Sequence, residues 1–161
     1  MIKHLSAIIF AAAAFAAGSC RLPKKNTQNT PEKNKAAMMK ADIAFSELSE
    51  AKGMKNAFLE FIDSNGVLLR PDTLPIIGAD AVDYLIAQND TDYSLIWKPT
   101  GGVVAASGEL GYTYGIYEVH PHSKDTLLYG TYINVWKKQE DGKWKYVLST
   151  GNEGVGSQIE N

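Results

Sequence analysis

The chain has 161 residues, 45% of them hydrophobic, a formal net charge of -2 and a single cysteine. That is enough apolar material for one domain with its own core, and one thiol excludes an internal disulfide framework. The nearly balanced charge, with aromatics not interleaved among basic residues, argues against a nucleic-acid-binding surface.

Met1 to Ser19 starts with Lys3 and His4, runs apolar from Leu5 to Ala17 and ends in small residues before Cys20. The run is shorter than the ~20 apolar residues of a membrane-spanning helix, so 1–19 reads as a cleaved secretion signal. Ala17-Gly18-Ser19-Cys20 resembles the bacterial lipobox, with alanine where leucine is commonest. The resemblance implies a diacylglycerol on the Cys20 sulfur and usually a third chain on its amine. At ~0.8 kcal/mol per buried CH2, more than one chain gives durable anchoring. Lipidation also accounts for a solitary thiol in an exported protein. Residues 20–35, polar and rich in Lys and Asn with Pro23 and Pro31, read as a disordered tether. Arg21-Leu22-Pro23-Lys24-Lys25 is not an acidic surface-export signal, so the expected location is the cell envelope, facing the periplasm.

Residues 36–161 read as one domain. Met38, Ala41, Phe45 and Leu48 recur at helical spacing, with Asp42, Glu47 and Glu50 on the other side and Gly53 as the stop. Met54, Ala57, Phe58, Phe61 and Ile62 form a second helical stripe, ended by Asp63-Ser64-Asn65-Gly66. A short strand, Gly66 to Arg70, closes at Pro71, and an irregular return leads to a third helix over Gly78 to Gln88. Strands follow: Tyr93 to Ser107, bent at Pro99-Thr100-Gly101-Gly102; Gly108 to Val119; Thr126 to Lys138; and Lys143 to Asn152. Helices first and an antiparallel meander afterwards predict an α+β domain with the helices covering the concave face of a curved sheet.

The strand Gly108 to Val119 alternates small Gly111, Thr113 and Gly115 with large Leu110, Tyr112, Tyr114 and Ile116. A hairpin with Gly142 in the left-handed position pairs Trp136 with Tyr146 and Lys137 with Lys145. With the lysines in water, Tyr132, Asn134, Trp136, Tyr146, Leu148 and Thr150 point inward, and Ile133, Val135 and Val147 form an apolar outer stripe. That stripe predicts a homodimer through the convex face. Pairing His120 with Asp125 sets Gly111, Thr113, Gly115 and Tyr117 beside Tyr132 and Asn134, with a cavity over the glycines. A slip of one residue would instead turn Tyr112, Tyr114 and Glu118 inward. The expected pocket residues are Trp97, Thr113, Tyr117, Tyr132, Asn134, Trp136 and Tyr146.

The element order is similar to the cone-shaped fold of nuclear transport factor 2 (NTF2). Phe61-Ile62-Asp63, Val67-Leu68-Leu69-Arg70-Pro71-Asp72 and Pro75-Ile76-Ile77-Gly78 resemble the N-terminal half of SnoaL-like, ketosteroid-isomerase-like domains of the DUF4440 branch. Gly108-Glu109-Leu110-Gly111-Tyr112-Thr113-x-Gly115-x-Tyr117 and Trp136-Lys137-Lys138-x-x-Asp141-Gly142-x-Trp144-Lys145 resemble the C-terminal half. The resemblance implies a cone with a hydrophobic cavity and frequent dimers, and no shared activity.

Ketosteroid-isomerase-type chemistry needs a carboxylate base and a hydroxyl or neutral acid that donates to the developing enolate. Asp63 and Glu118 are the acids nearest the expected cavity, with Tyr112, Tyr114, Tyr117 or Tyr132 as donors, and spacing selects no pair; Asp63 also suits a turn for backbone reasons. In His120-Pro121-His122 the proline and the following turn argue against a metal site, and no ligand set completes it. Gly151-Asn152-Glu153-Gly154-Val155-Gly156 has no helix behind it to cradle a phosphate, and no triad is readable, so neither a metal nor a cofactor is expected. The favoured function is a lipid-anchored protein whose cone binds a small, largely apolar molecule. The alternatives are a cofactor-independent isomerase, cyclase or dehydratase acting by proton transfer in the same pocket, and a dimerisation module with a filled core.

Overall fold

The computed structural model describes residues 30–123 and 125–154. The secretion signal, Cys20, tether residues 20–29 and the end of the glycine-rich tail lie outside the described residues. Helix α1 (Pro31–Lys52) is followed by α2 (Met54–Phe61), β1 (Ile62–Leu68), β2 (Ile76–Ile77) and α3 (Ala79–Ala87). Strands β3 (Tyr93–Val104), β4 (Leu110–Pro121), β5 (Leu128–Lys138) and β6 (Trp144–Glu153) complete the chain. They form one six-stranded sheet in the order β2-β1-β6-β5-β4-β3, with β1 parallel to β6 and every other pair antiparallel. This is the expected α+β arrangement of three helices and a mainly antiparallel sheet.

Helix α1 starts earlier than its apolar stripe suggests, so residues 31–35 are helix and not tether. The side chain of Thr30 caps it by accepting from the Lys33 amide at 3.3 Å, Pro31 takes the first turn and Glu32 faces the helix's positive end. Gly53, at φ 88°, ends α1 and precedes α2.

The buried face of α1 is not purely apolar. Met38 and Phe45 lie on it, but so do Asp42, Ser46 and Ser49, which the hydrophobic pattern had left facing water or unassigned. Ser46 Oγ accepts from the Trp97 amide at 2.8 Å and Ser49 Oγ donates to the Leu95 carbonyl at 2.6 Å, so a polar row docks α1 on β3. Phe45 is the hub of the core: its ring centroid lies 4.5 Å from that of Trp97, 4.7 Å from Phe58 and 5.4 Å from Tyr146.

The strand registers decide which faces point inward. Gly111 pairs with Trp136, Thr113 with Asn134 and Gly115 with Tyr132. The β4–β5 turn is longer than the four-residue loop expected, and Val119 opposes Leu128. The offset is even, so the small face is still the inner one, and Tyr112 and Tyr114 are exposed on the outside. Lys137 pairs with Lys145 and Trp136 with Tyr146 as expected, but a bulge next to Trp136 then makes Asn134 oppose Ser149 and Val135 oppose Leu148. Ser149 therefore takes the inward place expected for Leu148 and is buried.

Candidate functional site

Gly111 of β4 makes room for a helix, not for a cavity. A Cβ on Gly111 would stand 2.6 Å from Met38 Sδ, and one on Gly102, across the β3–β4 pair, 3.1 Å from Met38 Cε. Helix α1 thus lies down on the small face, and the expected cavity over the glycines is filled by Met38 and its neighbours.

The cavity opens further along the same strands, where α1 no longer covers them. It has a volume of about 320 Å³. Its walls are Met54 and Phe58 of α2, Tyr84 and Leu85 of α3 with Gln88 just after it, Leu95 and Trp97 of β3, and Tyr117 and Val119 of β4. Tyr132 and Asn134 of β5, Ser149 to Gly151 and Glu153 of β6, Tyr93, and Arg70 with Pro71 after β1 complete the lining. Tyr117 covers the sheet because the strands beneath it carry no side chains there. A Cβ on Gly130 would collide with its ring carbon Cζ at 2.2 Å, and one on Gly151 would stand 3.2 Å from Cε1.

Of the residues expected to line the pocket, Trp97, Tyr117, Tyr132 and Asn134 stand on the wall. Thr113, Trp136 and Tyr146 do not: all three are fully buried in the core beneath α1 and α2. The Trp136 indole N–H donates to Thr113 Oγ1 at 2.8 Å, and the Tyr146 hydroxyl donates to the Phe58 carbonyl at 3.1 Å. These bonds spend the polar atoms internally, as buried Trp and Tyr require.

Behind the wall sits the acid that sequence reading missed. Asp42 is fully buried and accepts three hydrogen bonds: from the Tyr132 hydroxyl at 2.8 Å, the Trp97 indole N–H at 3.0 Å and Asn134 Nδ2 at 3.3 Å. Burial raises the Asp42 pKa above its ordinary value, and the bonds from Tyr132, Trp97 and Asn134 pull it back part of the way. The Tyr132 hydroxyl is pushed up in turn, first by its own burial and then by the adjacent carboxylate. Three of the cavity-wall residues are therefore oriented by one carboxylate that does not itself reach the cavity. The signal was present in the sequence, since Asp42 lies four residues after Met38 and three before Phe45, but amphipathic logic assigns a charged residue to water.

The acids nominated from sequence lie elsewhere. Asp63 lies within β1 and not at the start of the turn expected over Asp63-Ser64-Asn65-Gly66, and it accepts from the Asn65 amide and from Gln139 Nε2, both at 2.9 Å. Glu118 is half-exposed and sits 3.1 Å from His120 Nε2. His122 is engaged with the Thr91 carbonyl and Ser94 Oγ, so the two histidines do not converge. Tyr112 and Tyr114 stand on the outer face.

No protein-family model matches the chain, and no curated protein sequence does. Among solved structures it is similar to a ketosteroid isomerase-like protein from Erwinia carotovora atroseptica, with TM-score 0.60 and 15% identity over 77% of this chain and 98% of that one. It is also similar to an NTF2-like protein with a cystatin-like fold from Novosphingobium aromaticivorans, with TM-score 0.60 and 14% identity over 77% and 84% of the two chains. A third is a protein of unknown function with a cystatin-like fold from Nostoc punctiforme, with TM-score 0.58 and 12% identity over 77% and 93%. At such identities the likeness is one of fold: the domain has the NTF2-like cone.

Proposed function

We propose that this NTF2-like chain is a lipid-anchored cell-envelope protein whose cone binds a small, largely apolar molecule. The observation that carries the reading is the cavity of about 320 Å³ between α2, α3 and the uncovered end of the sheet, walled by Phe58, Leu85, Leu95, Trp97, Val119 and Tyr132. Its size is at the low end of small-molecule sites, and its apolar wall interrupted by a few polar groups is their usual composition. The anchor rests on the lipobox-like Ala17-Gly18-Ser19-Cys20. We further propose that a second copy covers the outer face, where Val103, Leu110, Tyr112, Tyr114 and Ile116 are exposed together.

Native mass spectrometry of the purified protein, with a tryptophan-fluorescence titration by the neutral probe 2-naphthamide, tests the pocket. Saturable binding that Val119→Trp abolishes by filling the cavity is expected. A wild type that carries no molecule and gives no saturable signal refutes it. Cys20→Ser is expected to move the protein out of the membrane fraction, and its retention there refutes the anchor.

A second reading, an enzyme acting by proton transfer, draws support from one feature: the wall hydroxyl of Tyr132 is bonded to a buried carboxylate of raised pKa. Deuterium uptake from D2O into the α-positions of 2-tetralone, followed by proton NMR, separates the two. Exchange above the buffer rate that Tyr132→Phe removes favours the enzyme.

A further inference from the structure

Arg70 follows β1 and stands on the cavity wall, half-buried. One of its nitrogens, Nη1, donates to two carbonyls, Leu69 at 2.9 Å and Ser149 at 3.0 Å. The guanidinium carbon lies 5.6 Å from the centre of the Phe58 ring. Among the described residues no carboxylate comes within ion-pair distance of it, and Nε and Nη2 have no protein acceptor. Tyr84, Tyr93 and Tyr117 line the same cavity. The hydroxyls of Tyr84 and Tyr93 make no hydrogen bond among the described residues, whereas that of Tyr117 reaches the Asn152 carbonyl at 3.4 Å.

A guanidinium stays charged in a protein, so burying one without a counter-ion has a desolvation cost that its two carbonyl contacts only partly offset. The arrangement left over, a planar fork with free N–H groups in a largely apolar cavity that Tyr84 and Tyr93 also line, matches the two-oxygen head of a carboxylate. Phe58, Leu85, Leu95, Trp97 and Val119 provide the surface for an uncharged body. The one acid on the wall among the described residues, Glu153, lies at the exposed end of β6 and makes no ion pair with Arg70. We propose that the cavity selects an amphipathic monocarboxylate, with its head on Arg70 and its aromatic or alicyclic body against the apolar wall. This rests on the reading that the cavity binds a small apolar molecule, and it changes the ligand class from neutral to anionic.

The test is a fluorescence titration of the full purified protein with 2-naphthoate and with 2-naphthamide, which share a body and differ in charge. Naphthoate is expected to bind about tenfold tighter or more, the size of one charge-assisted contact. Arg70→Gln is expected to erase the difference. Because Arg70 also ties β1 to Ser149, that variant is read alongside its melting curve, and Glu153→Gln provides the independent arm. Removing that negative charge is expected to tighten naphthoate about two- to threefold and naphthamide less, as a partly screened charge at the cavity mouth does. Equal affinity for the two probes overturns charge selection and leaves the apolar pocket standing, whereas binding of neither overturns both. A Glu153→Gln variant that shifts both probes equally also overturns the assignment of an anionic ligand.

Discussion

Replacing Asp42 removes the acceptor of three donors at once. The Tyr132 hydroxyl, the Trp97 indole and Asn134 Nδ2 all point at its two oxygens, and Asn134 is nearly inaccessible to solvent. An orphaned buried donor costs about 1–3 kcal/mol, while relief from burying a carboxylate acts in the other direction. Asp42→Ala is therefore expected to lose about 3 kcal/mol at neutral pH, read as a lower urea midpoint, which is a large share of a domain's stability. Asp42→Asn keeps one acceptor oxygen and is expected to lose less. The two effects separate by pH. Burial holds the Asp42 pKa above its ordinary 3.8, to which it returns in the unfolded chain. Between those two values the folded state carries a proton that the unfolded state has released, so stability falls as pH rises through that window and levels off above it. The Asn variant has no such titration. The difference in stability between wild type and Asp42→Asn is thus expected to decline with rising pH from 3.8 upward, the other carboxylates cancelling in the subtraction. A difference that is flat or that grows with pH would show that the three donors outweigh burial, and would refute the reasoning.

Two further outcomes follow from packing. Gly111→Ala places a methyl 2.5 Å from the Val103 carbonyl and 2.6 Å from Met38 Sδ, and is expected to cost about 1–3 kcal/mol in thermal melting. Unchanged stability would mean that α1 does not rest on β4 as described. Tyr114→Asp, on the outer face at 46% exposure, is expected to convert a dimeric mass in light scattering to a monomeric one. A wild type already at monomer mass would refute the second-copy proposal.

What could be read from the chain followed from patterns that depend on one physical rule at a time. The Gly142 hairpin specified the Trp136–Tyr146 pair, and two-residue alternation put Gly111 and Thr113 inside, even though the turn before β5 was misjudged, because only the parity of the offset mattered. Readings failed where two rules compete. Asp42, Ser46 and Ser49 look like a solvated face, yet each meets a partner on a distant strand, and no helical periodicity reveals a partner 46 to 92 residues away. The bulge next to Trp136 exchanged Leu148 for Ser149 because a single extra residue, with no glycine or proline to announce it, reverses the alternation from there on.

The same competition explains where the cavity lies. Small residues on a strand leave space, but space beside an apolar helix is filled, and α1 reaches far enough along β3 and β4 to fill it down to Asp42. From Tyr132 toward Gly130, α1 no longer covers the sheet, and Tyr117, lying over Gly130 and Gly151, makes the floor. Asp42 sits at the boundary between the two regimes. Its carboxylate closes the packed half and at the same time fixes Tyr132, Trp97 and Asn134 as one wall of the open half. A substitution there acts on stability and on the shape of the cavity together, whereas one at Val119 or Glu153 reaches only the cavity. Ligand affinity that changes with Val119→Trp and Glu153→Gln while the urea midpoint holds would be the mark of that division.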